Sequence, residues 1–310
     1  MLRIFKTVND LLVPQDQPGK NCWINLYMPT EAELTKVSEA TGIPWDFLSD
    51  PLDADERARI ESDDDYLLIV IQAPIQNDSS DRGPYLTVPI GIIITPEVVV
   101  TVCRSSHDLV SQLLTIRPKN ISTSERMGFA LNILMRAATH YLLALKELNR
   151  MTSEAEENLY KAMRNKELIH LLTINKSLVY FVTSLEANEM TLNRLLHSRL
   201  ISLSEEEADI LEDAITENRQ AIGMASVYSS ILSGMSDAFA SIISNNMNTV
   251  MKMLTGVTII LMIPNIITST YGMNISLPFA DSPLAFAGIL GCTLILSVLV
   301  WTLFVKKRWM

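Results

Sequence analysis

Towards the end of the chain, polar, small or flexible residues recur at alternating steps of three and four: Gly234, Asp237, Ser241, Ser244, Asn248, Met251, Thr255, Thr258, Met262, Asn265 and Ser269. That 3.5-residue period is the period of a helical seam, yet a packed seam wants leucine and isoleucine. Here the large apolar residues, such as Val257, Ile260, Leu261 and Ile266, stand off the column. A column of hydroxyls, carboxamides and thioethers cannot face lipid unpaired, so it faces either another helix or water. Ser/Thr packing between helices is one reading. The other is a water-filled path lined by several copies around an axis, because one copy cannot enclose it. Just beyond the column stand Tyr271, Gly272, Met273 and Asn274, in an uncharged gap between two apolar runs.

The elements that must hold these residues follow from charge. Residues 253–280 contain no Asp, Glu, Lys or Arg, and after Asp281 the chain is uncharged again over 282–305. Each run exceeds the roughly 20 apolar residues that span a bilayer as a helix. The spacing predicts transmembrane helices over 253–271 (pore-lining) and 283–305, an outer loop over 272–282 and a basic tail over 306–310. Lys252 and the terminal "VKKRWM" are basic whereas 275–282 carries no Lys or Arg, which places both ends in the cytosol and the loop outside. Trp301 and Trp309 fit an interfacial aromatic belt. The N-terminal "MLRIFKTVND" lacks a signal peptide's apolar core, so the large N-terminal part is expected to stay cytosolic, and a bacterial inner membrane is the simplest setting.

Residues 1–120 read as a cytosolic α/β domain. Strands are expected at 22–28, 66–73, 85–94 and 98–103. Between them Thr30, Glu33 and Gly42 give a capping box and a stop for one helix. Residues 121–252 are rich in Leu, Ala, Met, Glu and Lys and read as long stalk helices. The last opens at the Ser204/Glu207 capping box and has no proline before Pro264, so it can run on the order of 90 Å into the membrane. The fold class is thus an α+β cytosolic domain with long stalk helices plus two C-terminal transmembrane helices.

Several functions are disfavoured. A net charge of −10 argues against nucleic acid as a partner. The three cysteines are dispersed and the four histidines form no i, i+4 pair, so neither a disulfide framework nor a zinc site is expected. No HExxH, nucleophile elbow, dinucleotide loop or GxxxxGK occurs, so the protein is read as no enzyme, with no organic cofactor.

The segment "NNMNTVMKMLTGVTIILMIP" followed by "YGMN", with the basic tail "KKRW", resembles the CorA-type magnesium transporter family. More weakly, "LDADERARIESDDDYLLIV" resembles a stretch of that family's α/β domain. Pro264, Asn265 and Ser269 depart from the family's commonest residues at those positions. The resemblance implies a funnel-shaped homo-oligomer, a pentamer, whose first spans line one pore. Tyr271, Gly272, Met273 and Asn274 would form the selectivity filter. Asn248, Leu254 and Met262 would be pore rings, joining Met251, Thr255, Thr258, Asn265 and Ser269 of the column. It also singles out Asp213 as a regulatory metal position, while Asp237 either pairs with a neighbouring helix or forms an inner cation ring.

The chemistry suits magnesium, which sheds water reluctantly. Neutral carboxamides and carbonyls can hydrogen-bond the hydrated ion without trapping it. Gly272 is expected in the left-handed conformation that ends a helix, with the helix's negative pole at the outer mouth. The expected function is channel-like, potential-driven uptake of Mg2+, with cobalt or nickel as further cargo, gated by cytosolic divalent ions. A zinc transporter of the same superfamily, or a membrane-anchored coiled-coil scaffold or sensor, are the alternatives.

Overall fold

A computed structural model of the chain describes residues 1–9, 11–63, 65–77, 83–105, 122–162, 165–198, 201–273 and 284–307. Asn274, the connection 275–282, Trp309 and the last residues of the basic tail lie outside them. The chain divides into two compact units, Met1–Gly234 and Met235–Met310.

The first unit is built on a seven-stranded sheet of β1 Leu2–Val8, β2 Leu11–Gln15, β3 Cys22–Tyr27, β4 Arg59–Asp63, β5 Tyr66–Gln76, β6 Tyr85–Ile94 and β7 Val98–Cys103. The spatial order is β2-β1-β3-β7-β6-β5-β4. Among the described strands only the β3/β7 pair is parallel. Side chains alternate between faces with period two. Ile24, Leu26, Leu68 and Val70 point to one core, shared with helices α1 Glu31–Thr41 and α2 Trp45–Ser49. Trp23, Leu67, Ile69 and Ile71 point to the other. That second core is covered by α3 Arg126–Ala162, α4 Asn165–Leu196 and the start of α5 Glu205–Tyr271. The expected caps are present. Thr30 and Glu33 close a reciprocal box, with Gly42 left-handed (φ 72°) after α1, and Ser204 and Glu207 bond the same way at the start of α5.

The four strands read from the sequence are all present, and three more flank them. β1, β2 and β4 escape the sequence pattern because they lie at or beside the sheet's edges. Edge strands need not be apolar, and β4 is the charged segment "RIESD". Its Arg59 pairs with Asp50, Glu56 and Glu61. Pro14 in β2 likewise suits an edge.

One polar network ties α3 and α4 to the sheet. The β4–β5 pairing ends at Arg59 opposite Val70, so Gln72, two residues further along β5, has no β4 partner for its N–H and C=O. The Asn188 carboxamide takes the place of the missing backbone. Its oxygen accepts from Gln72 N–H at 2.8 Å and its nitrogen donates to Gln72 C=O at 2.7 Å. The Tyr141 hydroxyl donates to the same carbonyl at 3.1 Å, stacked edge-on against Phe181. Complete burial pushes the Tyr141 phenol far above its usual range, so it remains a donor.

Four described helices are long and apolar enough to cross a membrane. Two of them, α3 and α4, bury 61% and 39% of their most apolar windows inside the protein, whereas those windows in α5 and α6 Ala285–Lys306 are only 6% buried. Apolar length alone does not separate core helices from spans, but what covers the apolar side does.

Replacing Asn188 by Ala leaves a buried N–H unpaired and is expected to cost about 2 kcal/mol. This is read as a thermal midpoint several degrees lower for the detergent-solubilised chain, followed by Trp fluorescence. Tyr141→Phe leaves Gln72 C=O one donor and is expected to cost less.

Candidate functional site

The second unit holds the end of α5, a 67-residue helix, and α6. Every residue of the polar column from Asp237 to Ser269 is exposed: Asp237, Ser241, Ser244, Asn248, Met251, Thr255, Thr258, Met262, Asn265 and Ser269. Leu254, one residue off the column, is 59% exposed. The covered positions of the same helix form a different row: Gly256 is buried, and Val257, Ile260, Ile263, Pro264 and Ile267 are half-buried. At 100° per residue this row is centred roughly opposite the column. On α6 the covered row is Ile289, Thr293, Ser297, Val300 and Phe304, with Thr293 buried.

This geometry bears on the choice left open by the sequence. In this unit the polar column is not the covered side of α5, so it is free to face something outside the chain. Gly256 and Thr293, at the buried points of their rows, were not singled out from sequence. The available signal was a small or hydroxyl residue within an apolar span, which lets helices approach closely.

The hydroxyls are held close to the backbone. Thr258 donates to Leu254 C=O at 2.8 Å, Thr268 to Pro264 C=O at 2.9 Å and Thr270 to Ile266 C=O at 2.8 Å. A threonine so bonded is a satisfied donor and still presents its oxygen lone pairs outwards. The Ser269 hydroxyl meets the Asn265 carboxamide oxygen at 3.4 Å. Thr258, Asn265 and Ser269 lie on the column and Thr268 and Thr270 to either side of it, so the column itself offers neutral oxygen acceptors to the waters around a cation.

The helix stops at Tyr271, which is 40% exposed, and Met273 is 54% exposed. Gly272 N–H still donates to Thr268 C=O at 2.9 Å, and Met273 N–H reaches Thr270 C=O at 3.4 Å, a tightened last turn. Gly272 is therefore not left-handed, contrary to expectation: the positive-φ glycines among the described residues are Gly42 and Gly83. A Cβ there would sit 3.3 Å from the Thr268 carbonyl oxygen, a tight contact within the same helix end. Asn274 lies outside the described residues.

Asp213 and Asp237 are both exposed, the first in unit one and the second in unit two. Among the described residues no three His, Cys, Asp or Glu side chains gather as a metal site. A cation held at Asp213 would therefore draw donors from elsewhere, such as a second copy.

Comparison with known proteins adds an independent line. The family profile described as "CorA-like Mg2+ transporter protein" matches residues 18–308. The cobalt/magnesium transport protein CorA of Methanocaldococcus jannaschii is 30% identical over 292 residues, covering 93% of this chain and 90% of the relative. That of Thermotoga maritima is 22% identical, covering 99% and 89%. In structure, the chain resembles the complete CorA magnesium transporter of M. jannaschii with a TM-score of 0.86 at 28% identity, covering 100% of this chain and 99% of that one. The fold is also shared with the ZntB cytoplasmic domain of Vibrio parahaemolyticus, at TM-score 0.58 and 12% identity over 79% of this chain and 97% of that one.

The two faces of α5 make opposite predictions for chemical labelling. In membranes, with Cys292→Ser as background, Thr258→Cys is expected to react with a charged thiosulfonate about tenfold faster or more than Ile260→Cys, because the reagent needs water and thiolate. Equal rates would put the column against protein or lipid.

Proposed function

The chain belongs to the CorA-like Mg2+ transporter family, whose members carry divalent cations across membranes, and from that premise we propose that it is a channel for hydrated Mg2+. One observation carries the reading: an exposed polar face runs along α5 from Asn248 to Ser269, opposite its covered row, towards Tyr271 and Gly272. Several copies, five by family resemblance, would set these faces around one axis. Co2+ and Ni2+ are further cargo. The chain is read as divided as its sequence suggests, with both ends cytosolic in a cell membrane.

In this reading the ion is passed between rings of neutral oxygens. Asn274, with Tyr271, Gly272 and Met273, meets it at the outer mouth, and Asn265, Thr258, Thr255 and Asn248 follow. Each ring hydrogen-bonds the ion's waters and none strips them, which keeps binding weak enough for release. Met262, Met251 and Leu254 narrow the path without charge. For a dication, 100 mV is worth roughly 4.6 kcal/mol, enough for inward accumulation on the order of a thousandfold without ATP. Asp213 and Asp237 would sense cytosolic cation, Asp213 by bridging copies so that occupancy favours the closed path.

The test is Mg2+ entry into liposomes held inside-negative, followed with a trapped indicator. The parent chain is expected to pass Mg2+, and Asn274→Ala to lose about tenfold or more of that rate. A silent parent contradicts transport, and entry that survives Asn274→Ala contradicts the filter. If Zn2+ enters and Mg2+ does not, the zinc reading replaces this one. Asp213→Ala is expected to weaken inhibition by Mg2+ on the cytosolic side; unchanged inhibition would remove Asp213 from gating.

A further inference from the structure

The stalk of unit one leaves two unlike helix faces uncovered. On α4, Ile169, Leu172, Val179 and Met190 are 60%, 47%, 52% and 71% exposed, and Arg194 is exposed beside them. On α5, Val227 and Ile231 are 55% and 52% exposed, on the side that also carries the exposed Asp209. Neither face is the one by which the two helices hold each other within the chain. That contact runs through Asn218 Nδ2 donating to Leu185 C=O at 2.9 Å, Ser229 donating to Asn175 Oδ1 at 2.9 Å, and the Arg219–Glu189 ion pair.

Those bonds also fix the levels of two antiparallel helices. Counting one residue back along α4 for each residue forward along α5 puts Leu172 level with Ile231, and Arg194 level with Asp209. Ile169 and Leu172 thus lie at the apolar level of α5 and Arg194 at the level of Asp209, whereas Met190 falls level with Asp213. Rotation about an axis parallel to the helices preserves level, so copies related that way bring like levels together. Two different complementary faces are what a head-to-tail contact needs to close a ring, whereas a two-fold contact would use one face twice.

We propose that the exposed face of α4 in one copy docks against the exposed face of α5 in the next, Leu172 meeting Ile231 and Arg194 meeting Asp209. This deepens the functional reading, since it rests on the homo-oligomer and names how neighbouring copies are held below the membrane. Apolar contact at one level gives adhesion, and the charge pair at the other sets direction and register.

The experiment co-expresses two differently tagged full-length chains, both Cys292→Ser, one carrying Leu172→Cys and the other Ile231→Cys. Any mixed disulfide is then between copies. A mixed dimer is expected on mild oxidation, absent when either variant is expressed alone. Adding Arg194→Glu to the first chain is expected to lower its yield about tenfold, and Asp209→Arg on the second to restore it. Native mass measurement in detergent runs alongside. An oligomer that gives no mixed dimer overturns this contact and leaves the transport reading standing. A monomer overturns the contact and the shared pore together.

Discussion

A polar side chain in hydrocarbon must find a partner, and the rest of the molecule depends on how α5 meets that demand. Each Thr hydroxyl at 258, 268 and 270 spends its proton on its own helix backbone, which satisfies the donor but leaves an oxygen that still favours water. Within the expected span the row holds Thr255, Thr258, Met262, Asn265 and Ser269, all exposed, and nothing in the same unit covers them. A single copy is incomplete in a bilayer. The proposed oligomer and its hydrated path would both answer one requirement, that this row be wetted while the row opposite is packed.

The first unit solves a different problem with similar helices. α3 and α4 are apolar enough to pass for spans, but, against 6% for α5, they bury 61% and 39% of their most apolar windows inside the protein. There Trp23 packs with Phe5 and Phe129 at ring distances of 5.3 and 5.2 Å, and Asn188 and Tyr141 complete the hydrogen bonds of β5. α5 begins in this core through Leu211 and Ile215 and leaves it as an exposed helix. Asp213 and the polar column stand on the same helix, the first in unit one and the second in unit two.

Much of this was legible in the residues. The two uncharged runs, both capping boxes and the four apolar strands obey local rules of composition and period, so they could be read one window at a time. The edge strands β1, β2 and β4 could not, since edge pairing is decided by neighbours far along the chain. The column was legible as a period, but its orientation was not: only three dimensions place Gly256 and Ile260 on the covered side and Thr258 on the other. The left-handed Gly272 was a reasonable rule applied where the helix instead tightens its last turn. Family resemblance, rather than period, supplied the role of Asn274.

The most direct test is the structure of the assembled protein in a lipid bilayer with Mg2+ present, at a resolution that shows ordered water. A wetted column predicts one axis surrounded by identical α5 helices. Thr255, Thr258, Asn265 and Asn274 should face it, with ion and water density between them. If Thr258 and Asn265 instead pack against α6 or lie towards lipid, and the axis is dry and filled by Ile260 and Ile267, the central claim is wrong.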